Sequence, residues 1–174
     1  MLHGIGRKPR KEGDLVDALL ACHGRIRTFT DLAVTVSERA DLAPSDVAES
    51  CARIGRYFVE AFPLHVEDEE SSLEPRLEGR SPEVDAALGR MRGEHAAHAD
   101  AVRRLTALSA ALAADPSDAE ARATLGAVAR SLRPMFEEHL EAEERVLFPA
   151  LRSLLSPDEE RLVRSEMAAR RAQR

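Results

Sequence analysis

Aromatic residues are scarce in this chain. Of its 174 residues only 3% are aromatic, made up of five Phe, one Tyr and no Trp. A sheet core leans on aromatic and β-branched side chains, whereas here Ala, Leu, Glu and Arg dominate, which argues for helix. Cysteine is also rare. Cys22 and Cys51 stand 29 residues apart with no CxxC, so there is no disulfide framework and no thiolate zinc motif, and the expected setting is a reducing cytoplasm. No apolar run approaches the ~20 residues of a membrane span. The basic N-terminus lacks the apolar stretch of a signal peptide. Positive charge is not in excess either: the formal net charge is −6, which argues against a nucleic-acid partner. The basic residues gather at the ends, in Arg7–Lys11 and at Arg164, Arg170, Arg171 and Arg174. They are read as solvated, with residues 1–12 a disordered basic tail.

Helical periodicity is what the chain does have. Leu15, Leu19, Cys22, Ile26, Phe29 and Ala33 recur at three and four, which predicts a first helix over about 14–40. Val47, Cys51, Ile54, Phe58, Phe62 and His65 predict a second over 44–70, kinked or locally opened in its hydrogen bonding at Pro63, with 71–82 as a connection. A third runs over 82–114, with Ser81 as cap and Pro82 at the first helical position. Ser117 and Glu120 fit a capping box that starts a fourth helix, which runs to about 155 with distortions at Pro134 and Pro149. Ser156 and Glu159 fit another box and start a short fifth helix. The expected fold is all-α: an antiparallel up-down-up-down four-helix bundle over 13–155, with an extra short C-terminal helix over 156–174.

One segment occurs twice. Residues 62–75 read FPLHVEDEESSLEP and residues 136–149 read FEEHLEAEERVLFP. The shared positions are Phe62/Phe136, His65/His139, Glu67/Glu141, Glu69/Glu143, Glu70/Glu144 and Pro75/Pro149. His and Glu four apart lie on one helical face, so imidazole and carboxylate can reach the same metal ion. The copies are 74 residues apart, the length of a helical hairpin, which makes the bundle two related halves.

Of six histidines, five fall on or near the apolar stripes: His23, His65, His95, His98 and His139. With Glu69 and Glu143 they form a candidate set of seven metal ligands, drawn from all four helices. Mixed imidazole and carboxylate donors suit iron, with manganese second. If both carboxylates and an oxide or hydroxide bridge two metals, three His complete one ion. Two His then leave the other with an open position for a small diatomic. Glu67, Asp68, Glu70, Glu141 and Glu144 are read as exposed faces of the same turns, Tyr57 as core packing and Cys22 as a small core residue.

The set resembles the hemerythrin-like family, the HHE cation-binding domains, over about residues 15–152. The resemblance rests on His23, the His65/Glu69 turn, the Glu94-His95 pair, the His139/Glu143 turn and Leu147-Phe148-Pro149. It implies a four-helix bundle around a non-haem di-iron centre that binds dioxygen or senses oxygen, nitric oxide, peroxide or iron. Two positions depart from the oxygen-carrying members. Their third-helix His are four apart, against three for His95 and His98, and their last carboxylate is an Asp one residue beyond Glu143. Without His98 both irons would be open, which favours peroxide chemistry over oxygen storage. The expected function is reversible binding or sensing of dioxygen or a related small ligand. The alternatives are a peroxidase- or catalase-like enzyme, an iron buffer acting through a partner, and a metal-free interaction bundle. The C-terminal helix is the surface offered to a second copy or a protein partner.

Overall fold

The computed structural model describes residues 14–173, so the expected tail at 1–12 and His3 lie outside the described residues. Helix α1 is Leu15–Glu38, and Asp14 and Asp17 close a capping box at its start. The second helix of the bundle runs without a break as α2 (Pro44–Arg56), π1 (Tyr57–Ala61), α3 (Phe62–Asp68), π2 (Glu69–Leu73) and α4 (Glu74–Leu77). Helices α5 (Pro82–Ala114), α6 (Ala119–Leu154) and α7 (Pro157–Ala172) follow, and the described residues contain no strand.

Two expectations about boundaries are corrected. The second helix continues past 70 to Leu77, so the connection is only 78–81, turning at Gly79 with φ 77°. The reason is proline. Its ring crowds the carbonyl four residues back and it lacks an N–H. Here each π segment ends two residues before a proline. The Phe62 N–H reaches back to the Tyr57 carbonyl ahead of Pro63, and the Glu74 N–H to the Glu69 carbonyl ahead of Pro75. The wider turn accommodates the ring and the helix goes on. Helix α6 stays α-helical through Pro134 and Pro149. At its start the cap is Asp118, which accepts from the Ala121 N–H. Ser117 is engaged elsewhere, its N–H and hydroxyl both donating to Asp115. The box at Ser156 and Glu159 forms as expected.

Along every long helix the buried face reads apolar, polar, apolar. One apolar cluster holds Ile26, Phe58, Val102 and Leu140; the other holds Leu19, Leu73, Met91 and Leu147. Between them lie His23 on α1, His65 and Glu69 on the second helix, His95 on α5, and His139 and Glu143 on α6. Successive helices cross from one cluster to the other in alternating directions, which is the up-down-up-down bundle. Helix α7 folds back on the end that holds the second cluster, burying Val163 and Met167 there. Its Arg170 and Arg171 clasp Asp68 at 2.8 and 2.7 Å. Asp68 is thus buried, not part of an exposed face, and two of the arginines read as solvated are its partners.

Candidate metal centre

The polar layer is built by the repeated turn. His139 and Glu143 both lie on α6, and His65 lies on α3 with Glu69 at the first residue of π2, so in both copies the carboxylate sits one turn beyond the imidazole on the same face. His65 Nε2 is 3.2 Å from Glu69 Oε1, and His139 Nε2 is 3.4 Å from Glu143 Oε1. The other oxygen of each carboxylate turns to the opposite half of the bundle. Glu69 Oε2 lies 3.2 Å from His95 Nε2, and Glu143 Oε2 lies 3.3 Å from His23 Nε2.

The result is two ligand groups. One atom from each of His23, His65, Glu69 and Glu143 lies within 4.8 Å of the others, and the same holds for Glu69, His95, His139 and Glu143. Glu69 and Glu143 belong to both groups, so each carboxylate lies between imidazoles of the two. Six of the seven candidate ligands are brought together. His98 lies outside both groups. Three residues beyond His95 it is about 4.5 Å further along the helix. There its ring stands edge-on to Phe136 and His139, with centroids 5.2 and 5.5 Å away.

Burial sharpens the case for a cation. His23 Nε2, His65 Nε2, His95 Nε2 and all four oxygens of Glu69 and Glu143 are buried without a hydrogen-bond partner. Each such atom costs about 1–3 kcal/mol if left so. All converge on one spot, and a pair of cations would satisfy them together. Their titration reflects the same crowding. Burial and the neighbouring Glu69 push the Glu143 carboxyl up to about 8. Burial also resists charging Glu69, yet His65, His23 and His95 hold it well below the usual carboxylate range. At His23 burial is outweighed by Glu143 and Glu69, which raise it to about 10, and at His95 by Glu69, which raises it to about 9. Burial lowers His65 to about 4, and it lowers His139 too.

Outside the ligands stands a set of carboxylates read in the sequence as exposed or left without a role. His23 Nδ1 donates to Glu144 Oε1 at 2.9 Å, and Arg27 shares that oxygen. His95 Nδ1 donates to Glu70 Oε1 at 2.9 Å, and His139 Nδ1 to Glu94 Oε2 at 2.8 Å. Such bonds fix the tautomer and orient the ring, leaving Nε2 to a metal. The signal was present: Glu70 and Glu144 are equivalent positions of the repeat, and each serves the His of a neighbouring helix. The few aromatic residues are spent here as well. Phe29, Tyr57, Phe58, Phe62 and Phe136 touch in series on one side, and the Phe148 ring lies 4.9 Å from His23.

The model of the hemerythrin HHE cation-binding domain matches residues 14–151, and again 97–171. The chain belongs to this family. No curated protein matches it. For a hemerythrin HHE domain, the two His/Glu groups are where a cation would be held, and their donor atoms fit that role. Among the described residues no helix is long and apolar enough to cross a membrane.

Proposed function

We propose that this hemerythrin HHE domain holds two non-haem iron ions, one in each ligand group, and uses them to bind or sense dioxygen or a related small ligand. The observation that carries the reading is the sharing of Glu69 and Glu143 between the two groups. Imidazole and carboxylate donors without thiolate favour iron, with manganese second. Loaded iron would supply redox-active positions for the small ligand. The chain's residues hold its surroundings: Glu69 and Glu143 would be shared between the two ions, Glu70, Glu94 and Glu144 orient three imidazoles, and the phenylalanines keep water away.

One observation favours a second reading. With His98 outside both groups, each group has two imidazoles and the same two carboxylates. The ligand sets are then alike, and neither half is filled by a third imidazole. That symmetry suits turnover of peroxide better than reversible storage of oxygen. Cys22 and Cys51 are free thiols, which accords with the reducing, cytoplasmic setting included in this reading.

Elemental analysis of protein grown with ample iron tests the first step, and two irons per chain are expected. Exposure of the di-ferrous protein to oxygen should then bring new near-ultraviolet charge-transfer absorption. Transition metal near zero would return the chain to a metal-free bundle. Peroxide decay no faster than with free iron would remove the second reading.

A further inference from the structure

We infer that the cavity beside His65 binds a small organic carboxylate, which takes the place of a side chain that this chain lacks. The cavity has a volume of about 570 Å³, and Cys22, Arg25, Tyr57, Glu60, His65 and Arg171 are among the residues lining it. Three of the four imidazoles in the ligand groups donate from Nδ1 to a glutamate of the chain. The fourth does not. His65 is 2% exposed, and its Nδ1, on the ring edge away from Glu69, has no partner.

The internal repeat explains the exception. The second helix corresponds to α6, and α1 corresponds to α5. Glu70 serves His95 on α5 as Glu144 serves His23 on α1. In the other direction, His139 uses Glu94, the residue just before His95. The equivalent partner for His65 is the residue just before His23, which is Cys22. At the place where symmetry puts a carboxylate there is a thiol and a cavity.

The surroundings suit an anion. Arg25 and Arg171 reach the cavity from α1 and α7, and Glu60 is the acidic residue of the lining. Arg25 donates to Cys22 Sγ at 3.0 Å, and Arg171 to Asp68 and to the Met167 carbonyl. Each guanidinium carries five N–H donors, so both retain some to offer. A carboxylate accepts from a guanidinium with one oxygen and from an imidazole N–H with the other. The inference rests on the metal reading, because a metal at His65 Nε2 fixes the proton on Nδ1. Once bound, the carboxylate orients His65 and raises its basicity. It therefore tightens the metal, and the metal tightens it by the same factor.

The chain carries a built-in reporter. Tyr57 is its one tyrosine and there is no tryptophan, so tyrosine fluorescence comes from the cavity wall. The experiment loads the full chain with ferrous iron under anaerobic conditions and measures iron on the same sample. It then titrates sodium acetate, with sodium chloride at matched ionic strength as control. A saturable change with acetate and none with chloride is expected, together with a gain in iron affinity of about tenfold or more. Arg25→Gln, at an exposed position, should weaken the acetate response about tenfold and leave the iron content unchanged. Cys22→Glu should supply the carboxylate from within, abolish the response and hold iron more tightly than the parent. No saturable response, an equal response to chloride, or unchanged acetate binding in both variants overturns the inference. Iron near zero defeats it together with the di-iron reading; two irons without an acetate response defeat it alone.

Discussion

Glu94→Ala should loosen iron more than any other change outside the ligand groups. Glu94 accepts from His139 Nδ1 at 2.8 Å with its side chain 25% exposed, whereas Glu70 makes the matching bond to His95 with 42% exposed. Losing such a partner typically costs 10–100-fold in metal affinity, or about 1.4–2.7 kcal/mol. Water competes more strongly for the more exposed carboxylate. Glu70→Ala should therefore fall near the lower bound, about tenfold, and Glu94→Ala near the upper, about 100-fold. Glu144→Ala should lie between them, since Arg27 shares the oxygen that serves His23 but keeps Glu137 when Glu144 is removed. Glu94→Gln retains an acceptor oxygen without the charge and should recover part of the loss. Anaerobic competition for ferrous iron against a chromophoric chelator measures all four variants on one scale. A Glu94→Ala protein within about threefold of the parent, ~0.7 kcal/mol, would refute the reasoning. So would a Glu70→Ala protein weaker than Glu94→Ala.

His139→Ala should lose iron from its group, while His98→Ala should keep the parent's iron content; elemental analysis decides, and equal losses would put His98 back among the ligands. The metal-free protein should lose stability as pH rises from 6.5 to about 10. His23 and His95 are raised from 6.5 to about 10 and about 9, and Glu143 from 4.5 to about 8. A group raised in the folded state contributes fully below its unfolded value and stops contributing as pH climbs through the folded one. His65, lowered from 6.5 to about 4, acts in the opposite sense but below that window. Iron affinity should rise over the same window, because loading expels those protons. Denaturation and chelator competition at several pH values test this, and slopes of the same sign would contradict it. Arg170→Met should cost about 2–3 kcal/mol in denaturant unfolding, at or below the lower end of the range of about 3–5 kcal/mol for a broken buried pair, because Arg171 still holds Asp68. A cost below about 0.5 kcal/mol, ordinary for surface substitutions, would mean that the clasp on α7 contributes nothing.

Much of this was legible because the helices carry their own punctuation. Apolar recurrence from Leu15 to Ala33, Ser81 before Pro82, and the Ser156/Glu159 box gave boundaries that the structure keeps within a few residues. The His–Glu spacing identified both repeated turns because four residues on a helix fix a face. What the spacing does not hold is what a neighbouring helix brings. Asp68, Glu70 and Glu144 look like solvated charges within their own turns, and become partners only when Arg170, His95 and His23 arrive from elsewhere. His98 shows the converse. Position three looks nearly as good as position four along one helix, yet the ring of Phe136 meets it before the centre does. Pro63 marked a disturbance correctly, but whether a proline bends a helix or is absorbed in a wider turn depends on the packing around it.

The two π segments give the second helix places where it can lose a residue without losing its facing. A π turn behaves like one surplus residue in an otherwise regular helix. Removing one residue from 57–61 would let the helix close into plain α and still span the bundle. Everything after the deletion would keep nearly its present direction, because five residues of π turn and four of α-helix each make about one full turn. His65 and Glu69 would stay in the interior together, with the family's motif intact in the text of the sequence. The same deletion within the regular helix at 44–56 would instead turn both side chains away by about 100°, so the place of a lost residue decides whether the motif still builds a site.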